Sequence, residues 1–144
     1  MLVTGCGKAP QPQPRPDSEW VANAGDVIDE LQRDLLLSAS AGDTVAEARR
    51  TLHADSGLYT ILVAYTDFGG CRHMVSAVGA PPAGLADVVR TLRAACAKFE
   101  RAARLFTRAT TKSDPRALLA ATRLADEATP LLLRAREQLQ GVSR

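Results

Sequence analysis

The residues best equipped for chemistry are three cysteines, Cys6, Cys71 and Cys96, and two histidines, His53 and His73. The run Cys71-Arg72-His73-Met74 sets a thiol, an imidazole and a thioether close together, the donor types that bind transition metals or haem. A complete ligand set is missing. There is no C-x-x-C-H haem attachment, no C-x-x-C zinc pair and no E-x-x-H pattern of the di-iron bundles. Cys96 and His73 could pair as nucleophile and base, yet no third residue can be named to orient the base, and no oxyanion loop accompanies them. Gly69-Gly70 lacks the flanking residues of a phosphate-binding loop and is expected to end or bend a helix. No catalytic site, metal site or cofactor is therefore expected, and both histidines are assigned structural or surface roles.

A different chemistry comes from arginine. Arg90, Arg93, Arg101, Arg104 and Arg108 recur at spacings that place them on one line of a helix, opposite its apolar face, with Ala97 filling the gap. Such a row is either a solvated face or a contact for an anionic partner: a lipid surface, an envelope polymer or an acidic protein. Nucleic acid is not expected, because no aromatic residues interleave with the arginines to stack on bases. The row belongs to a wider asymmetry. Residues 1–70 carry five Lys/Arg against ten Asp/Glu, a net charge of −5, whereas residues 71–144 carry thirteen against six, a net +7. The simplest expectation is an acidic helical hairpin packed beside a basic one.

The N-terminal sequence Val3-Thr4-Gly5-Cys6 has an aliphatic residue, two small residues and a cysteine in the order of a bacterial lipobox. Lys8 to Pro16 alternates proline with polar residues, a composition that makes an extended, semi-rigid spacer. The chain thus resembles the small Ala/Arg-rich bacterial lipoproteins. That resemblance implies a lipid on Cys6, residues 1–5 as the remnant of a signal peptide, residues 6–16 as a tether, and an extracytoplasmic domain over 17–144 held at a membrane. Its partner would be an envelope protein or an anionic envelope polymer.

With export assumed, Cys71 and Cys96 gain a use. Oxidising compartments favour disulfides, Cys6 is taken up by lipid, and the 24 residues between the other two include the Pro81-Pro82 break, which lets the chain double back. A Cys71–Cys96 disulfide is expected.

The elements that must hold these residues are helical. Aromatic residues are 4% of the chain, and Ala, Leu and Arg, all strong helix formers, dominate. Helix one is expected over Ser18 to Ala39, capped by Asp17 or Ser18, with Trp20, Ala24, Val27, Ile28, Leu31 and Leu35 on one face. Gly42-Asp43 marks a turn and a new N-cap, and a second helix starts near Thr44. Leu58 to Tyr65 is rich in β-branched and aromatic residues, but a lone strand would leave its backbone unpaired, so helix is expected there too. Cys71 to Val78 forms a further short helical piece before the Gly79–Gly84 break. Helix three covers Leu85 to Thr110. Helix four starts at Asp114, has Pro115 in its first turn, and is bent by Pro130. The expected fold is an all-α, antiparallel four-helix bundle with one broken or extra short helix around 55–78. A binding or scaffolding domain is the expected function, with an envelope carrier of a hydrophobic ligand or haem as the alternative.

Overall fold

A computed structural model describes the backbone of residues 14–143, in which every regular element is helical. Seven α-helices and one 3-10 turn follow one another among the described residues: α1 (Pro14–Ser38), the turn Ala39–Ala41, α2 (Val45–Leu52), α3 (Asp55–Gly69), α4 (Cys71–Ala77), α5 (Ala86–Lys112), α6 (Pro115–Glu127) and α7 (Thr129–Ser143). Cys6 and the expected signal remnant lie outside the described residues.

Helix α1 starts at Pro14 rather than Ser18, so the last three residues expected in the tether are already helical. The first turn of a helix tolerates proline, because its N–H groups have no intrahelical acceptor and φ is already helical. After the 3-10 turn, Gly42 takes φ +91°, and a Cβ there would stand 2.5 Å from the Glu47 Cβ. The cap of α2 is Thr44, not Asp43. Thr44 Oγ1 accepts from the Glu47 amide at 3.1 Å, and Glu47 Oε2 accepts from the Thr44 and Asp43 amides at 3.1 and 2.6 Å. Those donors hold the Glu47 carboxyl below its usual range.

The β-branched segment is helical, inside α3, where Ile61, Ala64, Tyr65 and Phe68 face the core. Gly70 separates α3 from α4, and Ala128 separates α6 from α7. The second break lies two residues before Pro130, which cannot donate a backbone hydrogen bond into the preceding turn. Asp114 caps α6 as expected, its Oδ1 accepting from the amides of Arg116 and Ala117 at 3.1 and 3.2 Å.

The long elements alternate in direction. Tyr65 stacks on Phe106 and Phe68 on Phe99, each with ring centroids 4.4 Å apart, so α3 runs antiparallel to α5. Trp20 Nε1 donates to the Gly79 carbonyl at 3.0 Å, while Asp34, further along α1, meets Asp67 near the end of α3. Helix α1 is therefore antiparallel to α3–α4 and parallel to α5. Leu92, Leu118 and Leu132 bring α5, α6 and α7 into the same core. Full burial of a Leu or Phe side chain contributes about 1.5–3 kcal/mol, so this apolar core is the main source of stability.

Candidate functional site

Helix α5 presents two unlike faces. Val88, Leu92, Ala95, Cys96, Phe99, Ala102 and Phe106 are buried, because they recur at three- and four-residue steps against α3, α4, α6 and α7. Arg90, Arg93, Arg101, Arg104 and Arg108 are all exposed on the other side. The five are not equivalent. Arg90 pairs with Asp87 one turn earlier, and Arg108 Nε stands 3.8 Å from Asp114 Oδ2. Arg93, Arg101 and Arg104 have no ion pair or hydrogen bond among the described residues.

A shallow groove of about 330 Å³ runs beside Arg104, lined by Gly69, Glu100, Ala103, Arg104 and Thr107. Its walls approach closely because Gly69 faces Ala103, where a Cβ on the glycine would stand 3.5 Å from the alanine methyl. Glu100 is held by Arg72, whose Nε lies 3.0 Å from Oε1 and whose amide donates to Oε2 at 3.2 Å. The sequence contains no short-range sign of this tie, since 28 positions separate the two residues. It lies one residue from Cys71, whose sulfur stands 2.04 Å from that of Cys96, a disulfide distance. The expected pair is thus brought together and buried between α4 and α5.

His53 and His73 are both exposed. No group of three His, Cys, Asp or Glu side chains that could hold a metal occurs among the described residues. A second groove of about 520 Å³, between the start of α1 and Pro82–Leu85, is likewise open to solvent. The centre of this domain is occupied by two ring stacks, Tyr65 on Phe106 and Phe68 on Phe99.

Sequence reasoning missed a buried acid. Asp34 lies at the edge of the apolar arc of α1, three residues after Leu31, and is only 4% exposed. Its Oδ2 has no amide, hydroxyl or cationic donor among the described residues, and the group it meets is the carboxyl of Asp67 on α3. Burial first, then Asp67 and the negative charge of Glu30, push the Asp34 carboxyl up to about 8, against a smaller opposing pull from Arg33. The protonated, neutral form of Asp34 is therefore favoured beside the Asp67 carboxyl. The spacing Ile28-Leu31-Asp34 was the available signal: a carboxylate at a core-facing step. Nearby, burial raises the Tyr65 hydroxyl to about 12 and also raises Asp126.

The expected pairing of an acidic hairpin with a basic one is only partly realised. Among the described residues one ion pair crosses between the acidic and basic halves, Arg136 with Asp29, supported by a 2.9 Å hydrogen bond from Arg136 to Gln32. The other ion pairs lie within residues 72–127. Helices α1 and α5 do not form a packed pair, and each packs instead against α3, α4, α6 and α7. Comparison of the chain with protein families, with curated proteins and with solved structures finds no match. Among the described residues, no helix is long and apolar enough to cross a membrane.

Proposed function

We propose that this chain is a non-catalytic, extracytoplasmic binding or scaffolding domain, attached to a membrane through lipid on Cys6, that offers one face of α5 to an anionic partner. The observation that carries the reading is the row Arg93, Arg101 and Arg104, exposed on a rigid helix and without intramolecular partners among the described residues. Side chains already engaged with a carboxylate would have to exchange one partner for another; these three do not. The fold fits the role as a four-helix bundle in which α3–α4 and α6–α7 each count as one bent rod and the eight-residue α2 is an extra short helix between α1 and α3. A cysteine pair at bonding distance accords with an oxidising compartment, and the lipobox-like residues supply the anchor.

Two measurements test the two halves of this reading. Expressed from its native gene, the chain should partition with membranes and carry an acyl mass on Cys6, and Cys6→Ser should move it to the soluble fraction. Membrane association unchanged by that substitution would refute the anchor. Binding of the purified chain to polyphosphate should fall at least tenfold in the triple variant Arg93→Gln, Arg101→Gln, Arg104→Gln. Equal binding by the triple variant would refute the docking face.

A further inference from the structure

We propose that the arginine row of α5 docks on the acidic row of α1 in a second copy of this chain, so that the domain assembles head to tail. This builds on the reading of α5 as a docking face and does not depend on lipid at Cys6.

Glu19, Asp26 and Glu30 lie on one exposed stripe of α1, separated by seven and four residues. Arg93, Arg101 and Arg104 lie on one exposed stripe of α5, separated by eight and three. Each row spans eleven positions, or about 16 Å of helix at 1.5 Å per residue. The six side chains have no ion pairs among the described residues. Asp29, which does have one, falls outside the acidic stripe and is held by Arg136.

The rows cannot neutralise each other within one molecule. Helices α1 and α5 are separated by α3 and α7, against which both pack, so the two stripes look outward from different sides of the domain. Both helices run in the same direction, because each is antiparallel to α3–α4. A second copy displaced sideways, across the helix axes and without being turned over, can therefore bring Glu19, Asp26 and Glu30 against Arg93, Arg101 and Arg104 in that order. The contact is heterologous: each copy presents a different surface to each neighbour, and every addition leaves one acidic and one basic row free. Exposed charge pairs are individually weak and screened by salt. Confinement to a membrane surface would raise the effective concentration at which such contacts form.

Sedimentation velocity of the full-length protein tests the inference. The weight-average mass should rise with concentration at about 0.01 M salt, where screening extends to about 30 Å, and return to that of one chain near 1 M salt. Glu19→Lys, Asp26→Lys, Glu30→Lys in one variant, and Arg93→Glu, Arg101→Glu, Arg104→Glu in another, should each remain monomeric at low salt. Mixed, the two should associate, since each then carries the complement of both faces of the other. Circular dichroism of each variant establishes that it is folded. A wild type that stays monomeric at low salt, or folded variants that fail to associate when mixed, would overturn the proposal. If polyphosphate binding still depends on the arginines in that case, the docking face stands and only the identity of its partner is wrong.

Discussion

Replacing Asp34 with asparagine should stabilise the protein at neutral pH and flatten its stability profile on the acid side. An unfolded-chain aspartate titrates near 3.9, whereas burial against Asp67 and Glu30 raises Asp34 to about 8 in the fold. Between those values the folded state holds a proton that the unfolded state has released, so stability is greatest below the unfolded value and falls as pH rises toward the folded one. One proton corresponds to about 1.4 kcal/mol per pH unit. From pH 5 to pH 7 this carboxyl alone should therefore remove about 3 kcal/mol, a large part of the 5–15 kcal/mol typical of a domain. Asparagine keeps the shape and carries no charge at any pH, and its amide N–H can donate to the Asp67 side chain. Asp34→Asn should accordingly match the wild type within about 1 kcal/mol at pH 5 and exceed it by about 2–3 kcal/mol at pH 7. Urea denaturation followed by the fluorescence of Trp20, the single tryptophan and a buried one, measures both proteins across this range. The raised Asp126 contributes a slope of the same sign in both proteins, and the lowered Glu47 one of opposite sign, so the difference between wild type and variant isolates Asp34. Parallel profiles from pH 5 to 7, or a variant less stable at pH 7, would refute the account of a raised Asp34 carboxyl.

Reduction should raise the intact mass by two hydrogen atoms, and Cys71→Ser with Cys96→Ser should lower stability by about 3 kcal/mol, the amount associated with closing a loop of this size; an unchanged mass on reduction would show that the thiols are free. Phe68→Ala removes one ring of the Phe68–Phe99 stack at a fully buried position and should lower stability by about 3–5 kcal/mol in chemical denaturation. Gly42→Ala places a Cβ against Glu47 at a positive φ and should cost about 1–3 kcal/mol. Thr44→Ala, which only removes the cap acceptor, should cost about 1 kcal/mol. Near-equal losses in these last two would argue against the close packing of Gly42 on Glu47.

Helices were legible wherever periodicity or a cap spoke locally. The stripe from Val88 to Phe106 and the Asp114-Pro115 start stand where the spacing put them. Leu58 to Tyr65 was harder, since β-branched residues favour strands. Its helical state follows from the four residues at i, i+3, i+4 and i+7, Ile61, Ala64, Tyr65 and Phe68, which meet the aromatic rings of α5 only along a helix. Boundaries moved where a short-range rule had two solutions: proline both suits a spacer and is tolerated in a first helical turn, and Asp43 and Thr44 are both cap formers. Glu47 decides the second case, because it lies three residues after Thr44 and closes the reciprocal pair of bonds.

Charge shows why local legibility stops short of a surface. Counting residues correctly assigns the acid to one half and the base to the other, and suggests that the halves attract within the molecule. Whether they do depends on which helices become neighbours, and that is set by apolar stripes rather than by charge. The core faces of α1 and α5 both turn to α3 and α7, which interposes those helices between the two charged rows. The same packing that satisfies hydrophobic burial therefore leaves Glu19, Asp26 and Glu30 on one side and Arg93, Arg101 and Arg104 on another, with complementary charge and comparable length. Burial energies of 1.5–3 kcal/mol per large apolar side chain outweigh surface ion pairs of 0–1 kcal/mol, so unsatisfied charge is the expected outcome of folding this sequence. A polar row left in this way acts only between molecules, which is where the tests of docking and self-association look for it.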